Sequence, residues 1–316
     1  MVNDLNLRYL YGAKAITNLS FSLEDSERLC VLSSHAGGKT SLFLALAGLL
    51  KPESGHIFLN DLDITTSSAR ERDFVAVYGD GGLTKMRTVA RELAYPLKIR
   101  KMPLQERTKI VTKTASNYGL YPLLGDLCRQ LHDEDVVRLA IARASLRISQ
   151  LYLIDNIFSL AKGSDRVSLF DELRPTIDSF QSNVIFTTDS VDESFSIGTR
   201  TLILNYGIME QIGTPHEILS RPASLFVDKL VNRHNHVSTI NLNGVLSFRS
   251  CRYAECEDGE LYETVSYKYD ATRLFAIFHD GISLETTLPL KAQYKLKIIP
   301  ESVNYFYSTT EKRIQL

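Results

Sequence analysis

The chain has 316 residues, 44% of them hydrophobic and 23% charged, with a formal net charge of −1. That length holds about two domains, and the balanced charge lacks the basic excess of a nucleic-acid binder. The longest apolar run, Leu42 to Leu50, falls far short of the roughly 20 residues that span a bilayer.

Residues 5 to 32 read as two or three strands around the turn-prone Tyr11-Gly12. The apolar run Leu29 to Leu32 then feeds a glycine-bearing loop, Ser33, Ser34, His35, Ala36, Gly37, Gly38, Lys39, Thr40 and Ser41. An apolar helix opens from Lys39 and is predicted to end at Leu49. This strand–loop–helix setting is that of a phosphate-binding loop. Its N–H groups face phosphates, a lysine reaches the outer ones, and a hydroxyl ligates Mg²⁺. The pattern is altered, with Ser33 in the place of the first glycine and Ala36 in that of another.

Further along, Ile57-Phe58-Leu59 reads as a strand closed by an Asn60-Asp61 turn, and Phe74 to Tyr78 as another run before Gly79-Asp80-Gly81-Gly82. Thr88 to about Ser145 is mostly helical in period, with turns near Met102-Pro103 and Tyr121-Pro122. Leu151 to Ile154, Val184 to Thr187 and Thr201 to Leu204 have the pattern of buried parallel strands, with a helix at Asp165 to Phe180 giving β–α–β. A boundary is predicted near Arg233 to His236, after which alternating strands run to Leu316. The four cysteines (Cys30, Cys128, Cys251, Cys256) show no metal-ligand spacing and fit a reduced interior.

Taken in order, these landmarks resemble the nucleotide-binding subunits of ABC transporters, in particular importer ATPases of the maltose, polyamine and glycerol-phosphate type. The resemblance covers nearly all of residues 5 to 233 and includes Asn205 to Leu219 and Arg221-Pro222. The β-rich tail, with Lys297-Ile298-Ile299-Pro300-Glu301-Ser302, is similar to the small OB-like (TOBE-like) accessory domain of such importers. The resemblance therefore implies an α/β P-loop NTPase domain at 1–235, with a helical subdomain at about 88–146, followed by an all-β OB-like domain at 236–316.

Residue by residue, the resemblance places Tyr11 where the family stacks an aromatic on adenine. Lys39 and Thr40 match the phosphate lysine and the Mg²⁺ hydroxyl, and Asp155 the aspartate that holds Mg²⁺ through water. The hydrolytic positions depart from the family. Gly79 stands at the γ-phosphate-sensing glutamine, Asn156 at the carboxylate that polarises water, and Asp189 at the switch histidine. An amide cannot act as the general base at neutral pH. The dimer-communicating loop, Ser159-Leu160-Ala161-Lys162, lacks its aspartate. The family's Leu-Ser-Gly-Gly-Gln signature is replaced by Leu131-His132-Asp133-Glu134-Asp135, whose carboxylates oppose a partner's triphosphate. Each like-charge contact at about 4 Å costs on the order of 1–4 kcal/mol.

These substitutions imply a pseudo-ATPase that keeps ATP and Mg²⁺ affinity and docks, around Gly79 to Tyr95, on transmembrane subunits. It would pair with a second ATP-binding subunit, a paralogue or itself, and sit on the inner face of the cell membrane through its partners, with no nucleic acid bound. Two alternatives stay open: a slow but active ATPase with Glu193 or Asp192 as substitute base, and a scaffold that binds another protein through its tail.

Overall fold

The computed structural model describes residues 1–9, 12–33, 37–232, 236–242, 245–251, 253–270, 273–278, 283–286, 293–298, 303–307 and 310–313. Tyr11, Ser34, His35 and Ala36 lie outside them. The chain divides into two compact units, Met1–Met209 and Glu210–Leu316.

The first unit opens with strands β1 (Val2–Arg8), β2 (Lys14–Phe21) and β3 (Arg28–Leu32), followed by helix α1 (Lys39–Leu46). The helix stops three residues before the predicted Leu49. Gly48, at φ +77°, takes a left-handed conformation that ends the helical path, and its N–H bonds back to the Ala45 carbonyl. The hairpin β4 (Ser54–Leu59) and β5 (Leu62–Asp63) turns at Asn60-Asp61, both at positive φ, as these residue types allow. These short strands form one antiparallel sheet in the order β2-β1-β4-β5.

A one-turn helix α2 (Ala69–Arg72), held by a Ser68–Glu71 capping box, leads into β6 (Val75–Val77). Three helices follow, α3 (Val89–Ile99), α4 (Leu104–Asn117) and α5 (Asp133–Ser145). Then come β7 (Leu151–Asp155), α6 (Gly163–Asp178), β8 (Asn183–Thr188), α7 (Val191–Ile197), β9 (Arg200–Asn205) and β10 (Ile208–Gly213). The division between units falls inside β10.

A second sheet runs β10-β9-β3-β8-β7-β6, and its pairings β9–β3, β3–β8, β8–β7 and β7–β6 are all parallel. Leu151–Asp155 is buried throughout, as expected of a parallel strand covered on both faces. Helix α5 belongs to two cores. Val137, Ala140, Ile141 and Ala144 pack with sheet residues such as Val75, Ile154 and Phe186. Leu139 and Ala142 pack instead with Val89, Leu93, Val111 and Ala115 of α3 and α4. An apolar period on two faces is what allows one helix to join a sheet to a helical layer.

The second unit contains α8 (Pro215–Ser220) and α9 (Leu225–Val231). Thr214 caps α8 in a box with Glu217, and Pro215 occupies the first helical position, where its missing N–H costs nothing. Strands β11 (His236–Leu242), β12 (Val245–Cys251), β13 (Tyr253–Asp270), β14 (Arg273–Phe278), β15 (Ser283–Thr286), β16 (Gln293–Ile298) and β17 (Asn304–Tyr307) follow. They form two antiparallel sheets, β11-β12-β17 and β15-β14-β13-β16. The compact division, between Met209 and Glu210, thus lies before the 235/236 boundary expected from the sequence.

Candidate functional site

Parallel strands present their carboxyl ends on one edge of a sheet, where ligands of open α/β folds bind. Here that edge carries, strand by strand, the loop after β3, Asp189 after β8, Asp155 and Asn156 at the end of β7, and Gly79 two residues after β6. Four segments far apart in sequence are thereby brought to one site.

The phosphate loop is anchored at both ends. The Ser33 N–H donates to the Thr188 carbonyl at 3.4 Å, and the Lys39 ammonium donates to the Ser33 carbonyl at 2.6 Å. Gly38 has φ +92°, and a Cβ there would come within 2.4 Å of the Ala15 carbonyl oxygen, so no side chain fits. Gly37, Gly38, Lys39 and Ser41 are buried, while Thr40 is exposed. Burial pushes the Lys39 ammonium below its ordinary pKa, against the opposing charges of Asp189 and Asp155.

Asp155 is buried and accepts a hydrogen bond from the Thr187 hydroxyl at 2.7 Å, with the Thr40 hydroxyl near enough to stabilise its charge. Desolvation raises its carboxyl, against the influence of Thr187, Thr40 and the Lys39 charge. The Thr40 hydroxyl and the Asp155 carboxylate therefore face each other beside the lysine, an oxygen pair that suits Mg²⁺, which takes few protein ligands and completes its shell with water and phosphate. Among the described residues no group of three or more His, Cys, Asp or Glu side chains could hold a metal ion by itself. Gly79 adds no ligand. A Cβ at this position would stand 3.1 Å from the Asp155 carbonyl and 3.9 Å from its Oδ2. Gly79, which the resemblance sets at the sensing glutamine, thus lies beside Asp155 and brings no side chain to it.

Asn156 has a left-handed backbone, φ 44° and ψ 34°, and its carboxamide Oδ1 is buried with no hydrogen-bond partner among the described residues. A buried amide oxygen left unpaired in a protein interior is costly and calls for a partner such as a water or an ion.

Asp189 is held by Arg166 of α6, whose Nη2 donates to its Oδ1 at 2.7 Å. The same guanidinium donates from Nε and Nη2 to both oxygens of Glu193, which is buried and also accepts from the Thr188 hydroxyl. Burial alone would raise the Asp189 carboxyl. The hydrogen bond and charge of Arg166, and then Lys39, outweigh burial and hold the carboxyl below its ordinary value. The expectation that Glu193 could act as substitute base is corrected here, because its carboxylate is taken up by Arg166 and Thr188. Ser190 and Glu193 have capping-box spacing, and the Ser190 hydroxyl does accept from the Glu193 N–H, but the glutamate turns to Arg166. Neither Arg166 nor its double pairing has a local sequence signal.

His132 is the N-cap of α5, and Asp133, Glu134 and Asp135 fill its first turn, where carboxylates meet the positive end of the helix dipole. Asp135 pairs with Arg138 at 3.2 Å, and Arg138 in turn pairs with Glu172 of α6 at 2.8 Å. A second arginine of α5 ties the helix to the loop after β6. Arg143 donates to the carbonyls of Gly82 at 3.0 Å and Gly81 at 3.1 Å and to buried Glu92 at 3.2 Å. On the far side of α3, Arg87, Arg91, Ala94, Tyr95, Lys98, Ile99 and Arg107 line a groove of about 660 Å³, with the Arg87 guanidinium 4.5 Å from the Tyr95 ring centre. Among the described residues no helix is long and apolar enough to cross a membrane.

A family model described as ABC transporter matches residues 16–159. The molybdate/tungstate import ATP-binding protein WtpC of Thermococcus kodakarensis is 31% identical over 222 residues, covering 70% of this chain and 67% of that protein. The trehalose/maltose import ATP-binding protein MalK of Thermococcus litoralis is 30% identical over 219 residues, covering 67% of this chain and 59% of that protein, so the chain spans about six-tenths of the length of such relatives. The solved structure of cbiO1 from Clostridium perfringens, part of the ABC transporter complex cbiONQ, shares the fold at a TM-score of 0.59. It is 21% identical and covers 73% of this chain and 92% of that one. With the phosphate loop, Asp155 and the parallel sheet in the arrangement described, the chain belongs to the family of ABC transporter ATP-binding proteins.

Proposed function

We propose that this chain is a nucleotide-binding subunit of an ABC importer that binds ATP, turns it over slowly or not at all, and docks on membrane subunits. The observation that carries the reading is the contrast at one sheet edge. Lys39, Thr40 and Asp155 lie together at this edge, which supports a nucleotide pocket, and Gly79, Asn156 and Asp189 lack the side chains that the family resemblance expects to orient and deprotonate a water.

In this reading the loop N–H groups and Lys39 bind the phosphates, and Thr40 and Asp155 would hold Mg²⁺. The metal, when bound, screens the charge of the phosphate oxygens. Asn156 offers an amide that orients a neighbour by hydrogen bonding but takes no proton. Asp189, fixed by Arg166, donates no hydrogen bond to a phosphate. The acidic first turn of α5 disfavours a partner's triphosphate, so a second subunit facing it would also be slowed. Tyr11 is the residue proposed to stack on adenine. The groove beside Tyr95, basic at Arg87, Arg91, Lys98 and Arg107, suits an acidic amphipathic segment of a membrane subunit. Residues 236–316 are proposed as an OB-like accessory domain following a nucleotide-binding domain at 1–235, with the whole protein peripheral on the cytoplasmic face.

Phosphate release by the purified full chain, alone and with membrane subunits, tests the proposal. Saturable nucleotide binding that Lys39→Ala removes, with turnover at least about a hundredfold below an intact relative, is expected from loss of the general base. Substantial turnover abolished by Lys39→Ala overturns it.

A further inference from the structure

Resting on the nucleotide reading of this pocket, we infer that the site selects a nucleoside diphosphate over the triphosphate, with Asp189 as the residue that determines the choice. Three observations converge on it.

The first is position. Leu32 of β3 pairs with Thr188 of β8, and the Ser33 N–H bonds to the Thr188 carbonyl, so Asp189 follows directly beside the start of the phosphate loop. Lys39, the group that meets the outer phosphates, donates to Ser33 and lies within electrostatic reach of Asp189. A third phosphate added beyond the first two therefore extends toward this carboxylate.

The second is charge. Arg166 pairs with Asp189 and Glu193 together, so one guanidinium serves two carboxylates and the cluster keeps a net negative charge. Among the described residues, with Lys39 and Asp155 included and no Mg²⁺ bound, two cations face three carboxylates; Mg²⁺ held at Asp155 would offset the charge at that corner and leave the Arg166 cluster itself one charge negative. The guanidinium is already committed to its own partners, and an incoming γ-phosphate meets a surplus anion in a partly water-excluded site, where like-charge contacts are strongest.

The third is rigidity. Arg166 is held on the buried Glu193 through Nε and Nη2 together, and Glu193 is held in turn by Thr188 and by the Ser190-capped start of α7. Fork-like pairing of this kind fixes the guanidinium plane, and with it the carboxylate that accepts from its Nη2. Asp189 cannot swing away without leaving Arg166. Gly79, beside Asp155, offers no side-chain donor to offset the repulsion.

Calorimetric titration of the full chain with ADP and with ATP, each with Mg²⁺ and with chelator, tests the inference. ADP is expected to bind at least about tenfold more tightly than ATP, and Asp189→Asn to raise ATP affinity about tenfold while moving ADP less than about twofold. Asp189→Ser, with melting and circular dichroism matching the parent, serves where the asparagine variant fails to fold. ATP binding as tightly as ADP in the parent, or a variant that shifts both nucleotides equally, overturns the inference while leaving nucleotide binding intact. Binding of neither nucleotide to the folded parent overturns the nucleotide reading, and the inference with it.

Discussion

Arg72 is buried at 5% exposure, and its four hydrogen-bond partners are all backbone carbonyls. Nη1 donates to Ala45 and Leu46, both at 2.7 Å, at the last turn of α1, while Nη2 and Nε donate to Thr65 and Ser67, both at 3.1 Å. One guanidinium thus joins the end of the phosphate-loop helix to the segment that leads into β6, and places positive charge at the negative pole of α1. Burial lowers its pKa, which is the mark of a desolvation cost. Hydrogen bonds from a charged donor contribute roughly 1.5–3 kcal/mol each before that cost, which takes back several kcal/mol for a cation that pairs with no carboxylate among the described residues. Arg72→Met keeps the stem and strands the carbonyls, and should destabilise the first unit by about 2–4 kcal/mol. Arg72→Lys should recover less than half of that loss, because a single ammonium cannot reproduce a planar fork. Urea unfolding followed by far-UV circular dichroism measures it. The chain has no tryptophan, so a fluorescence probe would have to rely on tyrosine. A loss under about 1 kcal/mol in the methionine variant, with an unchanged urea slope, would refute the reasoning.

Glu92, 1% exposed in its side chain, meets Arg143, Arg87 and the Thr84 N–H, so Glu92→Ala leaves Arg143 buried without its counter-charge and should cost about 3–5 kcal/mol by thermal or urea unfolding; a cost below about 1 kcal/mol would count against the clamp. Asp189 has a folded pKa held down by Arg166 and Lys39, so its contribution is fully present above its unfolded value of about 3.9 and is lost as pH falls through the lower folded value. Urea midpoints of the parent should therefore drop faster below about pH 4 than those of Asp189→Asn, and parallel curves would contradict the assignment. At the groove, Arg91→Glu combined with Tyr95→Ala should reduce capture of membrane subunits by about tenfold while leaving ADP affinity unchanged, and undiminished capture would move the docking surface elsewhere.

Much of the scaffold is legible because it rests on local patterns. Leu151 to Ile154 and Val184 to Thr187 are short, apolar and bounded by polar residues, and they fold as the inner parallel strands β7 and β8. The Asn60-Asp61 turn and the loop glycines carry their backbone requirements in their residue types. Asp155, Asn156, Gly79 and Asp189 could be placed together only through the family resemblance, since nothing local says that three strand ends share one edge. The ion pairs were not legible at all. Arg166 reads as one charge on an exposed helical face, and only the fold brings it to residues 23 and 27 positions away. The same holds for Arg143 and Gly81, 62 positions apart. A charged side chain gives no periodic signal of its partner, because one pair is enough and its spacing is set by topology.

The tie between Arg143 and the glycine carbonyls has a consequence in thermodynamic linkage. Glu92 on α3, Arg143 on α5 and the backbone at Gly81 and Gly82 form one connected piece, so a partner docked at the groove as proposed would act on all of it together. The piece runs toward the pocket by way of Gly79, which has no side chain to bind a phosphate differently in two positions of the loop, and also through Arg138 and Glu172 to α6, which carries Arg166. Coupling between two sites is reciprocal and is no larger than such a difference in binding. In the proposed reading, the arm through Gly79 would add little coupling between pocket and groove, and the arm through α6 would carry what coupling there is.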